Sequence, residues 1–108
     1  MRFLLQLSIV IFAMHLVPQT ATAQIVNTWR GGTPGQETNW ACSKNWSLSR
    51  VPDAFHNVII PNVSTGSGKF PVIQSGMIEL NQLDIHPCAT LTVRENVRLL
   101  VNVLHCYG

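Results

Sequence analysis

Apolar residues recur in the C-terminal half of the chain as short alternating doublets. Each doublet begins eight residues after the one before it. The three doublets are Leu83-x-Ile85, Leu91-x-Val93 and Leu99-x-Val101. Two apolar side chains that are two residues apart lie on one face of an extended strand. The pattern therefore predicts an internal repeat of short β-strands.

The connections between these predicted strands are compact. Residues 86–88 and 94–96 separate the doublets, and neither segment is long enough for a helix. A doubly wound α/β sheet is excluded, because its parallel strands need crossovers of about a dozen residues or more. Two all-β architectures remain. Stacked strands would form a β-solenoid, whose rungs bury their inner residues against neighbouring rungs, and tight hairpins would form a small antiparallel β-sandwich or meander.

Residues 45–61 lead into this all-β region through two prolines. Pro52 and Pro61 each fix their own φ and hold the preceding residues, Val51 and Ile60, extended. Since proline does not fit inside a central strand, the strand between the two prolines must be short. Residues 62–69, rich in Ser, Thr and Gly, then predict a loop.

The first residues have the pattern of a secretory signal peptide. Arg2 precedes an apolar run over residues 3–17, which ends at Pro18 and is followed by the small-residue site Ala21-Thr22-Ala23. A membrane span would need about 20 consecutive apolar residues, more than this run provides. We therefore expect residues 1–23 to be removed on export and residues 24–108 to form a single β-rich module.

Charge and size narrow the possible partners. The 108-residue chain has a formal net charge of +2, and loss of Arg2 with the leader lowers it by one. The basic residues are scattered and do not alternate with aromatic residues on one face, so nucleic acid is not an expected partner. A module of this size buries only about 60 to 65% of its unfolded surface, so a staple, a partner or further chain would stabilise it.

Three tryptophans, Trp29, Trp40 and Trp46, lie in a polar, glycine-bearing segment. In an exported protein they could form a ligand-binding platform, because aromatic rings stack on the apolar faces of sugars. Alternatively they could anchor the small β core. Tryptophan is costly to leave in water and the module is short of apolar volume, so we favour the core role.

Seven short motifs follow one another along residues 24–108. They are Trp29-x-Gly31, Trp40, Asn45-Trp46-Ser47, Val51-Pro52, Val58-Ile59-Ile60-Pro61, Pro71-Val72-Ile73 and Ala89-Thr90-Leu91-Thr92-Val93. Their order resembles a module of large secreted and cell-surface proteins of Bacteroidetes. The resemblance implies the opening of a β-solenoid or β-rich stalk, and for this reason we place the solenoid ahead of the antiparallel alternative.

The chain departs from that module at two places. His56-Asn57 stands where the resembling proteins have an acidic pair, and Cys88 stands where they have a glycine before the Ala-Thr-Leu-Thr motif. The first departure removes any cation-binding or capping role of those acids. The resemblance carries no catalytic residue over to this chain.

All three cysteines, Cys42, Cys88 and Cys106, lie in the exported part. An oxidising compartment permits one disulfide with one cysteine left over. Cys88 and Cys106 are 18 residues apart, near one turn of a solenoid, and stacked rungs lie about 4.8 Å apart, so we predict that these two form the bond. A metal site built from His86, Cys88, His105 and Cys106 would lack zinc-type spacing, and we expect neither metal nor cofactor.

Catalytic chemistry is weakly represented. A glycosidase or lyase needs paired acid and base groups that converge on a cleft, and nothing in the sequence indicates convergence. His105 and Cys106 are neighbours and point to opposite faces of a strand. Glu79, Asp84 and Glu95 alternate with apolar positions and are expected in solvent. The sequence therefore predicts a non-enzymatic, structural or adhesive surface protein.

The alternative function is a carbohydrate-binding module, or the N-terminal part of a polysaccharide-acting enzyme, that uses the tryptophans on extracellular glycans. The apolar pattern still continues at Leu99-x-Val101-x-Val103, with no polar cap after it. A solenoid without a cap leaves its last rung open. We therefore expect a module that is incomplete at its C-terminus, partnered by further repeats of a longer parent chain or by self-association through residues 97–104.

Export gives the first testable prediction. Because Ala21-Thr22-Ala23 is the small-residue site that follows the apolar run, the mature protein should begin at Gln24. Mass spectrometry of the exported chain measures its first residue. A secreted product that retains Met1 would contradict the prediction.

Overall fold

A computed structural model describes residues 24–107, so the predicted signal peptide lies outside the described residues. Strands dominate the described part, whose one helical element is the three-residue 3-10 helix Ser43–Asn45. The strands are β1 (Ile25–Thr28), β2 (His56–Ile60), β3 (Val72–Ile73), β4 (Met77–Ile85), β5 (Thr92–Val93) and β6 (Arg98–Cys106). Residues 24–107 contain no helix of the length and apolarity that crossing a membrane requires. The predicted all-β class is confirmed.

The strands form two parallel sheets. The larger sheet has the order β1-β2-β4-β6, and the smaller sheet consists of β3 and β5. Every ladder between these strands is parallel. The alternative of an antiparallel sandwich or meander is therefore wrong for residues 24–107. Each passage from one strand of the larger sheet to the next, from β2 to β4 and from β4 to β6, visits the smaller sheet once.

Neighbouring strands are much further apart in sequence than the doublets predicted. Met77 on β4 pairs with Arg98 on β6, 21 positions later, and this offset holds to the end of both strands. In the smaller sheet Val72 pairs with Thr92, 20 positions later. The predicted eight-residue repeat is wrong, because Val93 of the second doublet lies in β5, which pairs with β3.

Inward side chains form a column across the larger sheet. Val58, Leu83 and Leu104 occupy paired ladder positions on β2, β4 and β6. Val58 is completely buried, Leu83 is 1% exposed and Leu104 is 58% exposed. The position meets solvent only on β6, which no other described strand covers. The buried apolar core comprises Trp29, Trp40, Trp46, Val58, Ile60, Ile73, Leu80 and Leu83.

Strands β4 and β6 each turn a corner at an asparagine. Leu80 and Leu83 are both buried although they are three residues apart, whereas a straight strand would place them on opposite faces. The ladder between β4 and β6 is interrupted at Asn81 and Asn102, between these apolar positions. A corner at each asparagine allows both arms of the strand to face the same core.

The turns on either side of β5 use left-handed backbone. Cys88 precedes β5 and Asn96 follows it, and both have a φ of 65°. Non-glycine residues adopt this region rarely, and asparagine does so more readily than most. Cys88 is also the position where the resembling proteins have glycine, and a glycine would fit this backbone with less strain than cysteine.

Two leucines of the column allow a matched test of the fold. Leu83→Ala and Leu104→Ala remove the same atoms from equivalent positions on neighbouring strands. We expect Leu83→Ala to lower the free energy of unfolding by about 2 to 5 kcal/mol, because it leaves a cavity in the core. Leu104→Ala should cost less than about 1 kcal/mol, because its side chain is already in solvent. Urea denaturation followed by circular dichroism measures both, and equal losses would contradict the column.

Candidate functional site

The outer edge of β1 is closed by the segment that follows it. Residues 30–55, here called the N-terminal cap, fold back so that the amide of Ser47 donates to the carbonyl oxygen of Thr28 at 2.9 Å. The amide of Thr28 donates to Ser47 Oγ, also at 2.9 Å, and the amide of Arg30 donates to the carbonyl oxygen of Asn45 at 2.8 Å. An open strand edge is a template for pairing with another chain. At this end of the sheet the outward backbone groups of Thr28 are therefore paired within the chain.

Three tryptophan rings pack together where the N-terminal cap meets the end of β1. The ring centroid of Trp46 lies 5.1 Å from that of Trp29 and 4.7 Å from that of Trp40, both edge to face. The indole N–H of Trp46 donates to the carbonyl oxygen of Trp40, and that of Trp29 to the carbonyl oxygen of Lys69, each at 2.8 Å. All three rings are at most 2% exposed. None has a ring face free to stack on a sugar, as the ligand-binding platform requires.

Asn45 holds the loop in front of these rings. Its side chain is completely buried, and its Nδ2 donates to the carbonyl oxygens of Gln36 at 2.7 Å and Asn39 at 3.0 Å. Its Oδ1 accepts from the amide of Thr33 at 3.0 Å. In the motif Asn45-Trp46-Ser47, the asparagine therefore holds the loop by hydrogen bonds, the tryptophan packs in the core, and the serine pairs with the edge of β1.

His56 and Asn57, at the position of the acidic pair in the resembling proteins, both have structural contacts. The ring of His56 is completely buried, with Nε2 at 2.9 Å from Arg50 Nη2 and Nδ1 at 3.3 Å from the amide nitrogen of Asp53. Asn57 Oδ1 accepts from Asn81 Nδ2 at 2.7 Å. Protein groups enclose both side chains, and neither is arranged as an exposed cation ligand.

An open groove of about 540 Å³ lies between the N-terminal cap and the start of β4. Glu37, Trp40, Ile73 and Gln74 are among its lining residues, and Glu37 is the one titratable residue along it within the described chain. The buried indole N–H of Trp40 has no hydrogen-bond partner among the described residues. A lone carboxylate does not provide the paired acid and base of a glycosidase.

A ladder of asparagine amides crosses the corners of the larger sheet. Asn81 Nδ2 donates to Asn57 Oδ1 at 2.7 Å, and Asn102 Nδ2 donates to Asn81 Oδ1 at 3.3 Å. Asn57 is buried, Asn81 half-buried and Asn102 exposed. This ladder was not among the features predicted from the sequence. Its signal is the pattern apolar-Asn-x-apolar, which occurs as Leu80-Asn81-Gln82-Leu83 and again, 21 positions later, as Val101-Asn102-Val103-Leu104.

Strand β6 has an open outer edge, since β4 is its one neighbour among the described strands. Leu100 and Leu104 on this strand are 43% and 58% exposed. On the outer face His105 Nδ1 lies 2.9 Å from Asp84 Oδ1, which also accepts from Gln82 Nε2 at 3.1 Å. The β6 end of the larger sheet therefore has unpaired backbone groups, exposed leucines and a small polar cluster.

The predicted disulfide between Cys88 and Cys106 is absent from the structure, where these two residues and Cys42 are free thiols. Cys106 pairs with Ile85 on the neighbouring strand, and Cys88 lies three residues beyond that partner, in the turn. The spacing of Cys88 and Cys106 therefore falls short of the 21-position offset between β4 and β6. Within residues 24–107, no group of three or more His, Cys, Asp or Glu side chains is placed to hold a metal ion.

No protein-family model, curated protein or solved structure matches the chain. The resemblance to the surface module of Bacteroidetes stays a prediction.

Gly31 and Gly35 allow a matched test of the N-terminal cap. Both have a positive φ, 68° and 80°, so alanine is strained at each. A Cβ on Gly31 would lie 2.6 Å from the carbonyl oxygen of Lys69 and 2.9 Å from Trp29 Nε1, the two atoms of one hydrogen bond, whereas a Cβ on Gly35 meets nothing within 4 Å.

We expect Gly31→Ala to lower the free energy of unfolding by about 2 kcal/mol more than Gly35→Ala, because the bulkier residue separates an indole from its acceptor in a packed core. Urea denaturation followed by tryptophan fluorescence measures the difference. If the two variants lose the same stability, the contact between Trp29 and Lys69 does not support the cap.

Proposed function

We propose that the chain is a structural or adhesive module of the secreted space or the cell surface, without catalytic activity of its own, and that it opens a β-solenoid. A rung here means one passage from β2 through β3 to β4, or from β4 through β5 to β6. One observation carries the proposal: the stack of parallel strands is capped at the end of β1, at Thr28, and open at β6.

The closed end and the open end differ in both backbone and side chains. At β1 the backbone of Thr28 is paired with Ser47 in both directions. At β6 the leucine of the inward column is exposed, although its equivalent on β4 is buried. Stacked repeats need a cap at each end, because every rung is stabilised by its neighbours. This asymmetry fits a stack that begins at the N-terminal cap and continues beyond β6.

Two further features support a solenoid. Both sheets have parallel ladders, and the last rung has nearly the same offset in both, with Ile78 paired to Leu99 in one sheet and Ile73 paired to Val93 in the other. The preceding pair of strands, β2 and β4, has a longer offset of 25 positions, from Val58 to Leu83. Equivalent side chains therefore stack on one another from rung to rung. This arrangement is the basis of solenoid stability, in which each repeat buries its inner face against the next.

The proposed location rests on the sequence, and the proposed partners rest on the open edge of β6. The pattern of residues 1–23 predicts export, and the open edge would accept further rungs of a longer polypeptide or, more weakly, a second copy. The scattered basic residues do not form a face for nucleic acid. A carbohydrate-binding role would have to use the groove beside Trp40, because the three tryptophan rings are buried.

Self-association through β6 is the testable consequence. Leu100→Lys places a charge on the open strand, and Leu48→Lys places the same charge on the N-terminal cap; the two leucines are 43% and 42% exposed. We expect the first substitution to reduce association of the chain and the second to leave it unchanged, because edge charges block strand pairing.

Sedimentation velocity over a dilution series measures the association of residues 24–108, without the predicted signal peptide, and of both variants of this chain. An unsubstituted chain that remains monomeric at every concentration, or equal effects of the two lysines, would contradict the proposal.

A further inference from the structure

We propose that Asn102 selects the strand that docks on β6, and that its partner is a parallel rung carrying the pattern apolar-Asn-x-apolar at the same ladder position. This inference rests on the proposed function, since it assumes that β6 accepts a further rung. It adds the chemistry by which the right strand and the right register are recognised.

The asparagine ladder has a direction, and it stops with an acceptor. A carboxamide offers one acceptor oxygen and two N–H donors. In each step the Nδ2 of the later asparagine donates to the Oδ1 of the earlier one, from Asn81 to Asn57 and from Asn102 to Asn81. Within residues 24–107, no group donates to the Oδ1 of Asn102. The next rung must therefore bring a donor to this oxygen.

A strand without that donor would dock at a cost. Covering Asn102 removes its Oδ1 from water, and a buried acceptor without a partner is destabilising. A strand shifted along β6 by one residue would also lose the contact and turn its apolar side chains to the wrong face. One buried asparagine pair can set register in this way, as a polar residue does in the core of a coiled coil.

Apolar residues on both sides complete the recognition. Val101 and Leu104 flank Asn102 and are half-buried and exposed, respectively. Their equivalents on β4, Leu80 and Leu83, are 2% and 1% exposed beneath β6. A rung with apolar residues one position before and two positions after its asparagine would bury Val101 and Leu104 to the same extent.

A second copy of β6 fits these requirements less well. The N-terminal cap already occupies the outward backbone groups of Thr28 on β1, so it obstructs head-to-tail stacking of two copies. Their identical open edges can meet with the two cores in contact only if the strands run antiparallel. The amide ladder would then reverse at the junction, where a parallel rung would continue it. The association expected for the chain alone is therefore a weaker substitute for a rung.

The test adds one rung to the full chain. A copy of residues 87–107 is placed directly after Tyr107, so that the copied asparagine follows Asn102 by 21 positions, the offset that separates Met77 from Arg98. A matched chain carries Asn102→Leu in the copy only, and a third carries Asn102→Ala in the copy only. All are compared with the unextended chain under reducing conditions, by hydrogen exchange of the β6 amides.

We expect the asparagine rung to slow exchange at the open edge of β6 by at least about tenfold, because it pairs those amides. The leucine and alanine rungs should give at least about fivefold less protection, because each buries Asn102 Oδ1 unpaired. Tryptophan fluorescence checks that the N-terminal cap remains folded in every chain.

The outcomes separate this inference from the proposed function. Equal or greater protection by the leucine rung would overturn the inference and leave the proposed function intact, because apolar burial alone would then dock the rung. If none of the three rungs protects β6, the open edge does not accept a rung, and the proposed function fails as well.

Discussion

A stack of parallel strands ends in two rows of backbone donors and acceptors, and each row must be paired, hydrated or covered. In this protein the strand's own continuation pairs the row at Thr28, where β1 ends, and this closure organises the first half of the module. Ser47 pairs with Thr28, Asn45 ties the loop and Trp46 fills the space behind them. A small module buries little apolar surface in total. Its largest buried side chains, the three tryptophans, are all at the closed end.

The features that are local in sequence were predictable, because they depend on neighbouring residues. Period-two alternation indicated strands, and the two prolines delimited the short strand β2, which ends at Ile60. The stacking offset was not predictable from the doublets, because alternation looks the same on either sheet. Val93 and Val101 belong to similar doublets, but one lies in the smaller sheet and the other in the larger. The number of positions between paired residues depends on the lengths of the turns and of the strand that lies between them in the chain.

The side-chain contacts between neighbouring strands could not be predicted either, because they depend on the same strand offset. The asparagines at 57, 81 and 102 are unequally spaced, and only the register brings their amides together. The disulfide prediction applied a rung length of 18 residues to Cys88 and Cys106, which differs from the observed offset. Burial of the tryptophans, in contrast, followed from the cost of leaving large rings in water. The type of side chain thus predicted that the tryptophans are buried. Which side chains contact one another across neighbouring strands depends on the strand register.

The increase in exposure from Val58 to Leu104 bears on the order in which the strands fold and unfold. Chains emerge from the ribosome N-terminus first, so the tryptophan cluster can consolidate before β6 has been synthesised. Every later strand then adds to a surface that already exists, after closure of a loop whose entropy cost rises only slowly with its length. In the proposed solenoid each rung is stabilised by its neighbours, and β6 has a neighbour on one side only. We therefore expect residues such as Leu104 to detach first, so that a partly melted chain keeps the tryptophan emission spectrum of the native protein after its last strand is lost.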